Sequence, residues 1–340
     1  VCEGCGDCGE QSNCISIEPL ETPFGRKRQI NQSTCNKDFS CVKGFCPSFV
    51  TVEGGQLRKA AKGASPQTLP PDNVPLPQLP NLDRGEAWGI VVAGVGGTGV
   101  ITIGQLLGVA AHLEGKGIVT QDAGGLAQKG GATWSHVFIA AAQDQIRTTR
   151  VSMAGADLII GCDPIVVAGK ETVSRMREGR THVALNSHSA PTATFVHQAD
   201  WENPAQACQA EIARAVGEQG FAVCDADAIA TQLLGDSIYT NPIMLGFAWQ
   251  KGWIPLQLAS LTRAMELNGV AVQRNLAALA WGRLAAHDPV AMQRALQPGQ
   301  VVAWVPSVSE SLDDMVRRRV AFLTGYQNAA YAQRYAAVVE

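Results

Sequence analysis

The hydrophobic and polar positions divide the chain into a cysteine-rich start, a proline-rich stretch and a long region of alternating strand-like and helix-like segments. In that long region, the apolar run at 89–93 predicts a buried strand, and the pattern from Val100 to about Leu113 predicts a helix. Residues 117–122 predict a second strand. Further short apolar runs predict strands at 136–141, 157–161, 182–186 and 221–224.

Helical patterns lie between several of these strands, at 164–176 and 204–216. Residues 241–286 are largely helical by pattern, with interruptions at Gly252 and Pro255. The tail at 309–339 predicts one or two amphipathic helices opened by a cap at Ser311. Alternating strands and helices predict an α/β fold, a Rossmann-like and mostly parallel sheet covered on both faces.

Composition narrows the class of protein. The chain is 46% hydrophobic and 17% charged, which is ordinary for a soluble globular protein. A net charge of -3 gives no cationic field for nucleic acid or an anionic membrane. The uncharged run at 88–111 is long enough to span a bilayer, but its glycines favour a strand, a turn and a helix.

The two ends of the sequence add expectations about its context. No secretory signal opens the chain, so we expect a cytoplasmic protein. Val1 stands one residue before a cysteine motif, and Glu340 falls within a helical pattern. We therefore expect a fragment of a larger polypeptide, and we expect that polypeptide to form a homo-oligomer.

Seven of the ten cysteines fall within the first 46 residues. They form two imperfect copies of the bacterial ferredoxin run, in which thiolates two residues apart converge on one iron–sulfur cluster. The first copy is Cys2-x2-Cys5-x2-Cys8-x5-Cys14, and the second is Cys35-x2-Asp38-x2-Cys41-x4-Cys46-Pro47. Zinc, reduced cysteines without metal and a disulfide framework are the alternatives, and the last usually accompanies secretion.

In the ferredoxin run, the fourth cysteine binds the other cluster. This crossed rule gives one four-thiolate set and one set of three thiolates with Asp38 available as an oxygen ligand. Because a carboxylate holds iron less firmly than a thiolate, the second cluster should be the labile one, either a three-iron or an aspartate-ligated four-iron form. The first set is Cys2, Cys5, Cys8 and Cys46, and the second is Cys14, Cys35, Cys41 and Asp38.

Two other segments near the start have simpler interpretations. The basic run at 25–29 is expected to be a solvated loop; the alternative is that its charge tunes a neighbouring cluster or docks a partner. Six prolines in fifteen positions, between Pro66 and Pro80, predict a semi-rigid spacer or a strap across another surface. A domain boundary is expected there.

Two glycine-rich loops follow the first two strands of the α/β region. Gly94-Val-Gly96-Gly97-Thr-Gly99, with Asp122 about twenty residues on, has the form of a dinucleotide fingerprint. A second such loop follows immediately, which favours a shaped docking or binding edge at the ends of adjacent strands. The candidate cofactor-binding residues are Gly94, Gly96, Gly97, Gly99, Gly124, Gly125, Gln128, Gly130 and Gly131.

Other catalytic signatures are absent from the sequence. It contains no G-x-S-x-G, H-E-x-x-H or Walker lysine motif. The six histidines are dispersed and are expected to be structural. Cys162, Cys208 and Cys224 lack mutual spacing, so they are expected to pack as small apolar groups.

Taken together, the motifs resemble the large fused form of indolepyruvate ferredoxin oxidoreductase, a thiamine-diphosphate-dependent 2-oxoacid:ferredoxin oxidoreductase family. The resemblance covers nearly the whole chain and rests on the two cysteine runs, on Gly94 to Gly99 and on Gly125-Leu-Ala-Gln-Lys-Gly-Gly131. It implies a ferredoxin-like [4Fe-4S] module at 1–54, a proline-rich linker at 55–86, a gamma-type domain at 87–295 and the start of a further helical domain at 296–340.

The resemblance also implies an activity, the oxidative decarboxylation of an arylpyruvate with coenzyme A as acyl acceptor and ferredoxin as electron acceptor. The thiamine diphosphate and magnesium would be held by domains of the same or a companion chain. No G-D-G motif followed at suitable spacing by Asn occurs here. We therefore expect this chain to be inactive in decarboxylation alone and to contribute no proton-transfer or nucleophilic residue.

Two alternatives remain open from the sequence. One is a nicotinamide-linked iron–sulfur oxidoreductase in which Gly94 to Gly99 and Asp122 bind the dinucleotide. The other is a non-catalytic electron-transfer or docking module.

Overall fold

A computed structural model describes residues 2–22, 25–44, 46–50, 53–54, 74–83, 85–124, 131–192, 194–198, 200–296 and 311–339. Contacts divide the chain into two compact units, Val1–Leu20 with Arg26–Gln297, and Glu21–Gly25 with Pro298–Glu340. The domain boundaries expected from the sequence stay predictions.

The described residues of the cysteine-rich segment form short elements. They are α1 (Asp7–Ser12), the antiparallel pair β1 (Ile17–Thr22) and β2 (Gly25–Ile30), and a 3-10 turn at Ser40–Val42.

The α/β region contains a six-stranded sheet in the order β4-β5-β3-β6-β7-β8. Its strands are β3 (Trp88–Val95), β4 (Gly117–Gly124), β5 (Ala132–Ala140), β6 (Leu158–Gly161), β7 (His182–Asn186) and β8 (Phe221–Cys224). The strands from β3 to β8 through β6 and β7 pair in parallel, whereas β5 runs antiparallel to both β3 and β4. The predicted α/β class and mostly parallel sheet are confirmed.

Most of the helices that follow or cover the sheet lie in the predicted regions, whereas those at 194–197, 226–229 and 289–296 lie outside them. The helices are α2 (Val100–Leu113), α3 (Pro164–Val167), α4 (Lys170–Val173), α5 (Thr194–His197), α6 (Ala205–Val216), α7 (Ala226–Ile229), α8 (Thr240–Gln250), α9 (Leu258–Asn268), α10 (Val272–His287) and α11 (Pro289–Leu296). In the described part of the chain, no helix combines the length and the apolarity that crossing a bilayer requires.

Each face of the sheet has its own apolar core, because successive side chains of a strand point to opposite faces. On β3, Ile90 and Val92 join the core beneath α2 and α8–α10, whereas Val91 and Ala93 join the core beneath α3 and α6. All four side chains are fully buried. The near-continuous apolar sequence of β3 follows from this burial on both sides.

The single helix predicted at 164–176 is wrong. The structure has two one-turn helices instead, separated at Gly169, whose ψ of 147° is extended. The N-terminus of the first short helix is stabilised by its cap. The Asp163 carboxylate accepts the Val166 N–H at 3.0 Å, and Pro164 stands at the first helical position.

Part of the proline-rich stretch, residues 74–83, runs without regular structure as a strap over α8 and α10. The side chains of Gln250 and Arg283 donate hydrogen bonds to the carbonyl oxygens of Pro75 and Val74, at 2.7 and 2.8 Å. Leu82 is buried in the core beneath. Side-chain donors on α8 and α10 therefore fix the strap through its carbonyl oxygens, which suits proline because it has a carbonyl acceptor but no N–H donor.

In the second compact unit, the described residues 311–339 form two helices, α12 (Leu312–Tyr326) and α13 (Ala329–Val339). The Ser311 hydroxyl accepts the Asp314 N–H at 3.1 Å and confirms the predicted cap.

Candidate functional site

The first cysteine run turns at two glycines. Gly4 and Gly6 have φ angles of 81° and 90°, in the left-handed region that glycine adopts at low cost. A Cβ on Gly4 would lie 2.6 Å from the Arg26 carbonyl oxygen, so no larger residue fits. The two glycines therefore turn the chain on either side of Cys5, and Gly6 leads directly into α1, which carries Cys8.

Cys46 lies near this loop despite its distance in the sequence. Partial burial raises the pKa of the Cys8 thiol, and the neighbouring Cys2 and Cys46 raise it further, while Arg28 lowers it. The Cys2 Sγ accepts two backbone N–H groups, from Gly4 at 3.3 Å and from Arg28 at 3.4 Å. These neighbours match the set that the crossed rule predicts, and the ligation itself stays a prediction.

The remaining cysteines form a second group. Partial burial raises the pKa of the Cys41 thiol, with further contributions from Cys14, Cys35 and Asp38. The Cys35 Sγ accepts the Lys37 N–H at 3.4 Å. Cys14 thus acts electrostatically on the second run and Cys46 on the first, while the crossed ligation stays a prediction.

Asp38 is held within its own turn. Its Oδ1 accepts the backbone N–H of Ser40 at 3.0 Å and the Ser40 hydroxyl at 2.8 Å, and these bonds lower the pKa of the carboxyl group. The residues on either side, Lys37 and Phe39, have φ angles of 58° and 59°. The Asp38 carboxylate is therefore held by hydrogen bonds within its own turn.

Within the described ranges, no three His, Cys, Asp or Glu side chains converge as ligands of a metal ion. The thiolates of a cuboidal cluster bind different iron atoms and lie further apart than ligands of one ion. Two features suit a cluster at the first group: several thiols and N–H donors to sulfur. The donor chemistry fits iron–sulfur, and the metal residues stay predictions.

The solvated loop expected at 25–29 is wrong. These residues lie in β2, and two of their arginines hold the cysteine-rich segment against the α/β region. Arg26 Nη1 donates to the Trp201 carbonyl oxygen at 2.6 Å, and the Arg28 guanidinium stacks 4.9 Å from the Phe195 ring centroid. The contacts place the cysteine groups beside the segment that follows β7, at the carboxyl edge of the parallel strands.

The first glycine loop ends β3 at this same edge. Gly97 and Gly99 have left-handed φ angles of 86° and 99°, and Gly99 caps α2 without any side-chain hydrogen bond. Asn241 on α8 fixes the loop by donating its side-chain amide to the Thr98 carbonyl oxygen at 2.8 Å. The uncapped amides of a 14-residue helix suit an anionic group such as a phosphate.

The two glycine loops contact each other, since the Gly96 N–H donates to the Gly131 carbonyl oxygen at 2.7 Å. Gly124 ends β4, and Gly131 precedes β5. Gly125, Gln128 and Gly130 lie outside the described residues. The predicted convergence of the loops is thus found for their described parts, whereas binding at the glycines stays a prediction.

The expectation that the loops follow adjacent strands is wrong, because β5 is inserted between β3 and β4. Asp122 is also not at a strand end. It is exposed, pairs with Ser135 within the ladder and lies two strand spacings, roughly 10 Å, from β3. A ribose-binding acid stands on the strand next to the glycine loop in the dinucleotide fold, so this geometry does not favour that alternative.

Several polar residues at the carboxyl edge were not predicted from the sequence. The buried Asp163 accepts the Val166 and Ala190 N–H groups at 3.0 and 3.3 Å, while burial raises the pKa of its carboxyl group. Asn186 accepts the Ala226 N–H at 3.0 Å and donates to the Cys162 carbonyl oxygen at 3.2 Å. These side chains fasten the loops, and only the Asp-Pro dipeptide at 163–164 signalled one of them.

The later cysteines lie apart from both groups. Burial raises the pKa of Cys162 to about 12 and also raises that of Cys224, whose Sγ lies 3.6 Å from the Met244 sulfur. The expectation that they pack as apolar groups is confirmed for these two. Cys208 is half-buried on α6.

Sequence comparison finds that residues 89–285, more than half of the chain, match the family described as pyruvate ferredoxin/flavodoxin oxidoreductase. The indolepyruvate oxidoreductase subunit IorB of Methanothermobacter thermautotrophicus is 26% identical over 182 residues, which cover 53% of this chain and 87% of that protein. IorB of Pyrococcus horikoshii is 27% identical over 184 residues, which cover 53% and 86%.

Two solved structures are similar in part. The pyruvate oxidoreductase subunit PORC of Thermotoga maritima is 20% identical with a TM-score of 0.42, over 58% of this chain and 96% of that one. The keto/oxoacid ferredoxin oxidoreductase gamma subunit of Geobacter sulfurreducens is 18% identical with a TM-score of 0.41, over 58% and 98%.

Proposed function

Because the chain belongs to the pyruvate ferredoxin/flavodoxin oxidoreductase family, we propose that it is the gamma-type domain and electron outlet of an indolepyruvate (arylpyruvate):ferredoxin oxidoreductase. The substrate class is supported by two relatives named indolepyruvate oxidoreductase subunits, of which the match covers 86–87%. Thiamine-binding domains, of the same or a companion chain, are the required partners.

One observation carries the proposal. The contacts of Arg26 with Trp201 and of Arg28 with Phe195 hold the cysteine-bearing segment beside the stretch that follows β7. The paired glycine loops follow β3 and β4, so they lie at the same carboxyl edge of the sheet. In parallel α/β sheets, ligands bind at the carboxyl ends of the strands. An electron source docked at this edge would therefore lie close to the cysteine groups.

The chemistry divides between bound groups and protein. When bound, thiamine diphosphate stabilises the carbanion left by loss of carbon dioxide, and iron–sulfur clusters accept single electrons. The residues of this chain bind and orient. Cysteine thiolates would hold the iron, and the amides of Gly4 and Arg28 would stabilise negative charge on Cys2. The open amides of α2 would receive a phosphate of coenzyme A.

The two groups should hold different clusters. Cys2, Cys5, Cys8 and Cys46 are four thiols and suit a [4Fe-4S] cluster. Cys14, Cys35 and Cys41 supply only three thiolates, so together with Asp38 they suit a three-iron or an aspartate-ligated cluster. One Asp38 oxygen is already engaged by Ser40. The second cluster should therefore lose iron first on exposure to air.

The test combines this chain with its thiamine-binding partner under anaerobic conditions. Arylpyruvate, coenzyme A and a viologen dye are added, and dye reduction is followed. We expect reduction that depends on all components, and its loss in the Cys46→Ser variant. Cys208→Ser is the matched control, since Cys208 lies on α6 outside both groups. An unchanged rate in Cys46→Ser would contradict the electron outlet.

The same assay separates the alternatives. Dye reduction by NADH without a thiamine partner would favour a nicotinamide-linked enzyme, and electron transfer from an added reductant alone would favour a simple electron carrier. Ferredoxin as acceptor, a cytoplasmic location and a homo-oligomeric assembly belong to the same proposal. They are tested by ferredoxin reduction, cell fractionation and sedimentation of the assembled enzyme.

A further inference from the structure

Arg28 contacts the first cysteine loop in two ways. Its Nη1 donates to the Gly4 carbonyl oxygen at 2.6 Å, and its own backbone N–H donates to the Cys2 Sγ at 3.4 Å. Gly4 stands between Cys2 and Cys5, so both contacts fall within the stretch that carries the first ligands. A single residue of β2 thereby fixes the loop through its backbone and its side chain.

The guanidinium also fills the space beside Gly6. A Cβ on Gly6 would lie 2.9 Å from Arg28 Nη2 and 3.1 Å from Cζ, so the absent side chain leaves room for the charge. Gly6 stands between Cys5 and Cys8 and has a left-handed φ of 90°. The arginine thus packs against both glycines of the run Cys2-x2-Cys5-x2-Cys8.

An aromatic ring also packs against the guanidinium. Arg28 Cζ lies 4.9 Å from the centroid of Phe195, which is 2% exposed and belongs to the α/β region. Cation–π stacking and half-burial keep the charge in place and away from bulk water, so solvent screens it incompletely. The charge is permanent, because arginine stays protonated in proteins.

Two other charged groups near the loop, Asp7 and Arg26, make different contacts. Asp7 follows Gly6 and places a carboxylate beside Gly44, where a Cβ would overlap its Oδ2. Arg26, two residues before Arg28, directs its guanidinium to the Trp201 carbonyl oxygen. Arg26 therefore serves as a natural comparison: it is on the same strand and docks to the same segment through a different contact.

We propose that Arg28 is a positioning residue that orients the Cys2–Cys8 loop and raises the reduction potential of the cluster held by Cys2, Cys5, Cys8 and Cys46. The inference rests on the proposed electron outlet. Reduction adds one electron to the cluster and leaves Arg28 protonated, so the nearby positive charge stabilises the reduced form more than the oxidised form. The first cluster then becomes the favoured acceptor of the pair.

The experiment is an anaerobic redox titration of the full-length chain, followed by electron paramagnetic resonance, with iron and sulfide counted in each sample. Wild type is compared with Arg28→Gln, Arg28→Lys and Arg26→Gln. In Arg28→Gln, we expect the reduction equilibrium of the first cluster to fall by about tenfold, which is a potential about 59 mV lower for a one-electron couple.

The controls separate charge from structure. Arg28→Lys keeps the charge and should restore at least half of the shift, while Arg26→Gln should leave the potential unchanged. The signal of the second cluster is an internal control, because Arg28 acts on the Cys2–Cys8 loop. If Arg28→Gln does not retain the first cluster, Arg28→Lys decides: retention at the wild-type potential supports the proposal, and loss in both variants overturns the role of the charge.

Two results would refute the inference alone. One is an iron-loaded Arg28→Gln protein with the wild-type potential, and the other is an equal shift in Arg26→Gln. A wild-type chain without iron would refute the proposed function as well, and the iron count distinguishes this failure from the others.

Discussion

Replacing Gly94 with alanine should destabilise the α/β region by overpacking the carboxyl end of β3. A Cβ at this position would lie 2.8 Å from the Cys162 Cβ and 2.9 Å from the Val100 Cγ2. Ordinary carbon–carbon contacts are about 3.5–4.0 Å. Neither neighbour can move easily, because Cys162 N donates to the Ala93 carbonyl oxygen at 2.7 Å and Val100 is buried in the first turn of α2.

Extra volume in a close-packed core costs about 1–3 kcal/mol of unfolding free energy. At about 2–4 °C per kcal/mol for a domain of this size, a cost near 2 kcal/mol lowers the melting temperature by about 4–8 °C. The assay is thermal and urea unfolding followed by circular dichroism. Val100→Ala should lower the unfolding free energy less in the Gly94→Ala background than in the wild type, because it removes one of the two clashes.

Gly124→Ala is the matched control, because the nearest atom to its Cβ would be the Thr133 Oγ1 at 3.9 Å, an ordinary contact. We expect this variant to unfold at the wild-type temperature or slightly above. Equal stability of Gly94→Ala and Gly124→Ala would refute the packing described for β3, β6 and α2.

Three further predictions test separate parts of the account. Burial lowers the pKa of His136 from 6.5 to about 4, so folding loses on the order of 3 kcal/mol as the pH falls from about 6.5 to 4, and His136→Gln should flatten this dependence in urea titrations. Gly282→Ala should abolish the close crossing of α8 and α10, since its Cβ would overlap the Ile243 carbonyl. The Cβ of Gly325→Ala in α12 would meet no other atom, so this variant should stabilise its helix by about 1 kcal/mol. Thermal unfolding measures both effects. Cys14→Ser should remove the signal of the labile cluster and spare the four-thiolate one; the reverse pattern would contradict crossing.

Local patterns predicted most of the α/β region. The apolar run of β3 and the helical pattern from Val100 to Leu113 were correct to within two residues, because their burial leaves a direct record in residue type. The end of the helix predicted from Pro164 was wrong, because the extended backbone at Gly169 depends on the loops around it. A glycine is compatible both with a continuous helix and with an extended break.

Contacts between residues that are distant in the sequence were the main feature that the sequence did not predict. Nothing in the sequence near β5 indicates that it inserts between β3 and β4, so the position of Asp122 relative to the glycine loop was misjudged. Likewise, Arg28 looked like part of a solvated basic run because its partner, Phe195, is far away in the chain. Cysteine spacing, in contrast, is a local signal, because ligands of one cluster recur at short intervals, and the ligation that it predicts stays a prediction.

The central claim is that the first 46 residues hold two iron–sulfur clusters with unequal ligands. Anaerobic purification of the chain, followed by iron and sulfide counts and electron paramagnetic resonance, tests it most directly. The account predicts about seven to eight irons per chain and two distinct signals, one of which fades first in air. A colourless protein that binds only zinc, or one with fewer than about three irons in a fresh preparation, would contradict it.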